Sequence, residues 1–207
     1  MKTSILIASV FTFVAVASLQ AQQKTVSDPS TITRNNIQDT GKVTTKVKIV
    51  GGAQMLPSKN IVENASQSKD HTTLVKAIQA AGLTDSLKAA GPFTVFAPTN
   101  DAFAKLPAGT LDTLTKASNK EKLSGIVSNH IVAGKMTSRD LATAVSKANG
   151  NATLTTVEGD LLKVSINAEK NLQIEDSQGN IALVTVFDVE QSNGIVHVIN
   201  NVLLPKN

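Results

Sequence analysis

The stretch GPFTVFAPTNDAFAKLP, residues 91–107, decides the fold because it places a buried strand directly before a short helix. The run FTVFA at residues 93–97 is too apolar to face water, and burying each large side chain contributes about 1.5–3 kcal/mol. Thr99 or Asn100 can accept backbone N–H bonds at the start of a helix over residues 101–106. The stretch therefore predicts a strand, a turn and a helix.

A second stretch, GIVHVINNVLLP at residues 194–205, predicts another strand. Its side chains alternate, so His197 shares one face with Ile195 and Ile199. A histidine between two isoleucines is more often hydrogen-bonded within a mostly apolar layer than a ligand or a catalytic base. Both stretches are therefore interpreted mainly as fold determinants.

The order of patterns along the chain predicts an α+β fold. Apolar residues recur with a helical period over residues 74–81, where Asp70 is the candidate N-cap and Gly82 the candidate stop. Strand-like runs with hairpin spacing follow at residues 152–157, 161–166, 172–175, 181–189 and 195–204. Helices followed by an antiparallel meander indicate one α+β domain.

Three motifs in order resemble those of the fasciclin domain family: TVFAPTNDAF at residues 94–103, LSGIVSNHIVAGKMTSRDL at 123–141, and GIVHVINNVLLP. The helical opening at residues 57–83 is also similar to that of bacterial members. The chain thus looks like a bacterial secreted single-domain fasciclin protein, with the domain over residues 57–207. This resemblance implies short N-terminal helices packed on a two-sheet antiparallel β-wedge.

The N-terminal residues predict export. Residues 1–21 carry Lys2, then an uncharged and mostly apolar run, and a cleavage site after Ala21, which is typical of a signal peptide. The apolar run is shorter than the ~20 residues that a bilayer span requires, so we expect no stable membrane insertion after signal removal. Residues 22–56 form a polar leader with a candidate edge strand at 43–49, free to pair with the domain edge or with another chain. The expected location is periplasmic, cell-surface or secreted.

Composition excludes several classes of protein. The chain has 207 residues, a formal net charge of +4 and no cysteine, so disulfides cannot stabilise it. The small charge excess does not indicate nucleic-acid binding, which usually relies on basic clusters with stacking aromatics. The chain lacks tryptophan and tyrosine, which disfavours a lectin that binds sugars on aromatic rings. Its three histidines lack the spacing of a zinc motif, and it contains no nucleophile elbow or phosphate loop. We therefore expect no enzyme activity, no cofactor and no bound metal.

The resemblance implies two candidate binding positions. Asn129 and His130 fall where many fasciclin domains carry a Tyr-His pair implicated in integrin-type adhesion, with Asn129 replacing the aromatic residue. Asp188 and Val189 fall where animal relatives carry an Asp-Ile pair in an integrin-recognition motif. The alternative is structural: His130 packs near a helix end, where a partial positive charge is expected, and Asp188 hydrogen-bonds within a strand end.

The leading functional hypothesis is an adhesion or matrix-interaction module that binds an extracellular or cell-surface protein or polysaccharide. Lys42, Lys46 and Lys48 would add attraction to acidic polymers. The alternative is a carrier that holds a small lipophilic ligand in an apolar groove, because some algal fasciclin proteins are associated with carotenoid binding. A third hypothesis is an envelope component that self-associates through the N-terminal strand. The oligomeric state stays open.

Overall fold

A computed structural model describes residues 47–89, 91–107 and 109–206. The predicted signal peptide and most of the predicted leader lie outside the described residues. The helices are α1 (Ile61–Ala65), α2 (Thr72–Ala81), α3 (Thr84–Lys88), α4 (Asn100–Ala104), α5 (Thr110–Leu114), α6 (Lys120–Ser128) and α7 (Ser138–Lys147), with short 3-10 helices at Lys69–His71 and Ala117–Asn119. The strands are β1 (Lys48–Val50), β2 (Ala53–Met55), β3 (Phe93–Pro98), β4 (Ile131–Ala133), β5 (Asn151–Thr155), β6 (Leu161–Ile166), β7 (Leu172–Glu175), β8 (Ile181–Gln191) and β9 (Gly194–Ile199).

Side-chain caps explain where the central helices begin. The Thr99 hydroxyl accepts a hydrogen bond from the backbone N–H of Ala102 at 3.2 Å, which starts α4 as predicted. Asp70, by contrast, lies inside a 3-10 helix and does not cap α2. The side-chain oxygen of Asn100 takes that role, because it accepts the backbone N–H of Thr73 at 2.9 Å. A residue of one motif thus caps a helix that is distant along the chain.

The α+β class is confirmed, but the two-sheet antiparallel wedge is wrong. The main sheet has seven strands in the order β4-β3-β9-β8-β7-β6-β5. Strands β3 and β9 pair in parallel, with Phe96 opposite His197. This pairing brings the stretches at residues 91–107 and 194–205 side by side. The other pairs in this sheet are antiparallel.

Continuity through β8 explains why one sheet replaces two. This strand pairs with β7 near its start and with β9 over the rest, and register shifts flank Val186. Such irregularities bend a strand and increase its twist. The two edge strands of the sheet, β4 and β5, consequently approach each other. The Val157 N–H, just after β5, donates to the carbonyl of Ile131 in β4 at 2.8 Å. The sheet therefore almost closes on itself.

The core lies on both sides of this curved sheet. Helices α2 and α6 pack over β3, with Ala77 and Ile78 fully buried. Inside the curve, Leu141 of α7 contacts an apolar cluster that includes Leu162 and Ile174. Helix α7 therefore covers the interior of the sheet. Among the described residues, no helix is long and apolar enough to cross a membrane.

The predicted strand over residues 43–49 is realised in part, as the first strand of a hairpin. Strand β1 pairs with β2 across Gly51 and Gly52, whose φ angles of 56° and 77° suit a two-residue turn. Its described portion therefore pairs with β2 within the hairpin, and pairing with another chain stays a prediction. Val50 and Met55 of the hairpin are buried in one cluster with residues of β8 and β9. The domain boundary at residue 57 stays a prediction.

Candidate functional site

The predicted pair Asn129 and His130 lies in the interior, with 0% and 2% of its surface exposed. His130 accepts the backbone N–H of Leu203 through Nε2 at 2.9 Å and donates through Nδ1 to the Ile126 carbonyl at 2.7 Å. Asn129 donates to the Leu203 carbonyl at 3.3 Å. The pair therefore holds the segment that follows β9 against the end of α6.

The expected partial positive charge on His130 is wrong. Burial lowers the pKa of His130 to about 4, and the favourable effects of the Ile126 carbonyl and the Asp176 carboxylate do not offset it. Because the hydrogen bond from Leu203 requires a lone pair on Nε2, the neutral ring also fits its partners. His130 is neutral in the folded protein at pH 7.

The second predicted pair, Asp188 and Val189, lies at the irregular part of β8. The Asp188 carboxylate accepts both the backbone N–H and the hydroxyl of Ser138, at 2.6 Å and 2.5 Å. Since Ser138 is the first residue of α7, the carboxylate also faces the positive end of that helix. Val189 is only 2% exposed. In the structure, both side chains contact other residues of this chain. A role in binding a partner stays a prediction for both.

His197 connects Asp188 to the loop before α7, as the structural interpretation of this histidine expects. Its Nδ1 accepts the backbone N–H of Asp188 at 3.3 Å, and its Nε2 donates to the Met136 carbonyl at 2.9 Å. The ring stacks on Phe96 with centroids 5.8 Å apart. Burial lowers the pKa of His197, so the neutral ring is favoured.

An open groove on the surface was not predicted from the sequence. It has a volume of about 720 Å³, which falls within the usual range of ligand sites. Helices α5 and α6 form one side, and the turn after β5 and the C-terminal segment form the other. The apolar walls are Leu106, Pro107, Leu114, Ile126, Leu204 and Pro205. The groove, which we call the α6 groove, needs three segments that are far apart along the chain.

Charges of both signs surround the α6 groove. Its lining includes Glu121, Lys122, Glu158, Asp160 and Lys206. In the described part of the chain, ion pairs join Lys135 to Glu190 and Lys163 to Glu175, and neither pair belongs to the groove.

Hydrogen bonds hold the C-terminal wall of the α6 groove in place. Asp160 accepts the backbone N–H of Lys206 at 2.6 Å, and Gln178 donates to the Pro205 carbonyl at 2.7 Å. The Asn129-His130 pair holds Leu203 immediately before this wall. The predicted site residues thus position one side of the groove.

A second site lies beneath the β1–β2 hairpin. It is a cavity of about 30 Å³ with mainly apolar walls, and we call it the hairpin cavity. Its polar side chains are Ser68, His71 and Gln191. Ser68 Oγ lies 2.9 Å from Nδ1 of His71, whereas Nε2 of the same ring has no hydrogen-bond partner. Burial lowers the pKa of His71, and the nearby Asp70 carboxylate and Ala97 carbonyl only partly oppose that effect.

Comparison with known proteins supports the family resemblance that the stretches at residues 91–107 and 194–205 indicated. The sequence profile of the fasciclin domain matches residues 69–205, and the chain belongs to the fasciclin domain family. Protein sll1483 of Synechocystis is 41% identical over 165 residues, covering 79% of this chain and 83% of that protein. The uncharacterized protein sll1735 of the same organism is 43% identical over 145 residues, covering 70% and 97%.

A solved structure supports the fold. The chain is similar to the FAS1 domain pair of the insect cell adhesion molecule fasciclin I, with a TM-score of 0.63 and 22% identity. The match covers 70% of this chain and 51% of that one. In the described part of the chain, no cluster of three or more metal-ligating side chains is found.

Proposed function

We propose that this protein is an exported, non-enzymatic adhesion or matrix-interaction module that binds an extracellular partner in the α6 groove. The observation that carries the proposal is the open groove itself, with apolar walls and charged side chains of both signs. The fold it shares with an insect cell adhesion molecule supports the same function. Export depends on the predicted signal peptide, so the periplasm, the cell surface and the medium remain the proposed locations.

The groove chemistry favours a segment of protein over an acidic polysaccharide. Leucine and proline walls suit apolar side chains, and the mixed charges offer partners for both basic and acidic residues. A polyanion would instead require a basic surface. Of the three lysines proposed for that purpose, Lys48 donates to the Phe187 carbonyl, and Lys42 and Lys46 lie outside the described residues.

Direct contact of Asn129, His130, Asp188 and Val189 with a partner is not needed in this proposal. Asn129 and His130 contribute by holding Leu203 beside the groove wall. Asp188 contributes by fixing the start of α7, and Val189 packs under the hairpin. Their substitution would weaken binding only by disturbing the folded protein.

The experiment that tests this function fills the α6 groove. A Cβ at Gly125 would lie 3.2 Å from Oε1 of Glu158, a flexible and exposed side chain that can move aside. Gly125→Leu should therefore retain the fold and weaken binding at least about tenfold, whereas Ser146→Ala, at an exposed position of α7, should not weaken binding. Lys122→Glu on the groove and Lys147→Glu outside it form a second matched pair.

Binding would be measured with the purified protein, intact producing cells, and the protein and polysaccharide fractions of their extracellular material. Each variant first needs a melting curve like that of the wild type. Binding that survives in a folded Gly125→Leu variant would exclude the α6 groove as the contact site. Saturable binding to the polysaccharide fraction alone would reject the protein-segment assignment.

The hairpin cavity favours a second candidate function, a carrier of a small lipophilic ligand. Its apolar walls with few polar anchors are typical of such a site, but its volume of about 30 Å³ is well below the ~300 Å³ of the smallest usual ligand sites, so a ligand would also have to displace part of the protein. Native mass spectrometry of protein purified from the producing cell tests this function directly. An added mass that organic solvent removes supports it, and protein of the expected mass alone contradicts it.

A further inference from the structure

A void and an unpaired polar atom coincide beneath the β1–β2 hairpin. The His71 side chain is 4% exposed, and its Nε2 atom has no hydrogen-bond partner. The adjoining walls include Val50, Met55, Val189 and Val198. The void and the unpaired nitrogen each cost free energy, and a ligand could remove both costs.

The polar atoms of the hairpin cavity match a hydroxyl group. Ser68 Oγ can donate to or accept from Nδ1 of His71, so Nε2 is either a donor or an acceptor. The nearby Ala97 carbonyl affects the pKa of the ring without reaching hydrogen-bond geometry. A ligand hydroxyl suits either state of Nε2 because it donates and accepts.

Size and lining define the rest of the ligand. A water-sized group occupies about 10–15 Å³ by this measure, so a cavity of about 30 Å³ accommodates a hydroxyl and its first carbon. Gln191, the other polar side chain at the wall, is already hydrogen-bonded to Asn64 and to the Val189 carbonyl. Everything beyond the first carbon must therefore be apolar and must displace part of the protein.

We propose that the hairpin cavity receives the hydroxyl end of a linear lipid alcohol and that the β1–β2 hairpin is its displaceable cover. This inference rests on the carrier function proposed above. The hairpin precedes the region that the family profile matches, which begins at residue 69. The cover therefore lies outside the residues that the family profile matches.

The hairpin is attached in a way that permits opening. A two-stranded hairpin is marginally stable by itself, so this one depends on its contacts with the domain. At its turn, the Gly51 carbonyl accepts the backbone N–H of Lys69 at 3.1 Å. A Cβ on Gly51 would lie 2.3 Å from Ser68 Oγ and 2.7 Å from the backbone nitrogen of Asp70. The turn can dock only because residue 51 has no side chain.

Gly52 provides a matched control. Both glycines have a positive φ, but a Cβ on Gly52 would meet nothing within 4 Å. Alanine is strained at either position, whereas only Gly51→Ala would also push the turn away from Ser68. Differences between the two variants therefore report on docking of the hairpin.

The first experiment titrates the full protein, labelled with ¹⁵N in its histidine rings, with 1-octanol. We expect a saturable shift of the His71 Nε2 signal and no shift of the His130 and His197 signals, since those rings have protein partners. The double variant Ser68→Ala/His71→Leu, which leaves no unpaired ring nitrogen, should bind 1-octanol at least about tenfold more weakly.

The second experiment measures amide exchange over residues 48–55 and the rate of 1-octanol binding. Gly51→Ala should increase both at least about fivefold relative to Gly52→Ala. Equal rates in the two variants would overturn the role of the hairpin as a cover.

The possible outcomes distinguish failure of the hairpin cavity as the binding site from failure of the carrier function as a whole. Binding of 1-octanol without a shift at His71 would retain a carrier function but reject the hairpin cavity as its site. Failure of both the wild type and Gly51→Ala to bind would reject both. A shift at His71 that is lost in the double variant would establish the site.

Discussion

The backbone N–H of Leu203 donates to Nε2 of His130 at 2.9 Å, and this bond requires the neutral ring. Protonation of Nε2 would replace the lone pair with a second donor facing the N–H group. It would also place a charge at a residue that is 2% exposed. His130 is therefore an acid-sensitive attachment point for the segment that lines the α6 groove.

Stability should consequently fall as the pH decreases from 6.5 to about 4. The pKa of His130 is about 4 in the folded protein and 6.5 in the unfolded chain, so the unfolded state binds the proton first. Each pKa unit corresponds to about 1.4 kcal/mol, which sets an upper limit of about 3 kcal/mol for this histidine. Above pH 6.5 the stabilisation is complete. Urea unfolding at successive pH values measures the effect.

His130→Gln serves as the variant for this prediction because it removes the titrating group. It should be less stable at pH 7.5 and should lose less stability between pH 6.5 and 4 than the wild type. Burial also lowers the pKa of His71 and His197, so part of the dependence should remain. Equal losses in the two proteins over this range would show that His130 does not cause the effect.

Asp188→Ala should destabilise the protein by about 3 kcal/mol. The change removes two hydrogen bonds to Ser138, and bonds to a charged group contribute about 1.5–3 kcal/mol each. It also places alanine at a φ of 50°, which favours Asn, Asp and Gly. Asp188→Asn keeps one acceptor and tolerates this conformation, so it should lose only about 1 kcal/mol. Denaturant unfolding compares the two variants.

The same pair of variants tests the integrin-type role predicted for Asp188. A folding role predicts that stability and partner binding decrease together in Asp188→Ala. If this variant were as stable as the wild type and yet lost binding, Asp188 would be a contact residue.

Local patterns predicted much of the fold because their determinants are close along the chain. The strand and helix of the first stretch, with Thr99 as the cap, depend on neighbouring residues. The parallel pairing of Phe93–Pro98 with Gly194–Ile199 joins strands about a hundred residues apart, and alternation within one strand does not reveal its partner. The same limit explains why Asn100, and not Asp70, caps α2.

The candidate sites were harder to predict because they arise where separate segments meet. The α6 groove needs Gly125 on a helix, Glu158 in a turn and the C-terminal segment. No motif includes all three. The hairpin cavity depends on a glycine turn docking against Ser68, whereas the sequence predicted only an edge strand over residues 43–49 in this region. Asn129 and His130 were selected through the family resemblance, which identifies a position but not its burial.

Gly194→Ala should destabilise the protein by at least about 3 kcal/mol. A Cβ there would lie 2.1 Å from the Phe93 carbonyl oxygen, and the parallel pairing of β3 and β9 leaves that backbone no room to move. Gly159→Ala is the control: its φ is 100°, and a Cβ would meet nothing within 4 Å, so it should cost about 1 kcal/mol. Thermal and urea unfolding measure both. Similar losses at the two glycines would mean that β9 can shift along β3.

Asn193→Asp should destabilise the protein by about 3 kcal/mol or more. The Asn193 side chain accepts the Ile61 N–H at 3.1 Å and donates to the carbonyls of Leu87 and Ala89 at 2.6 Å and 3.1 Å. An aspartate keeps the acceptor but faces two carbonyl oxygens without a donor, and each unsatisfied buried group costs about 1–3 kcal/mol. Asn201→Ala, a partly exposed control with one bond to the Ile181 carbonyl, should cost less than about 1 kcal/mol. Urea unfolding compares the variants, and a loss below about 1 kcal/mol for Asn193→Asp would show that this side chain does not hold α1 and α3 together.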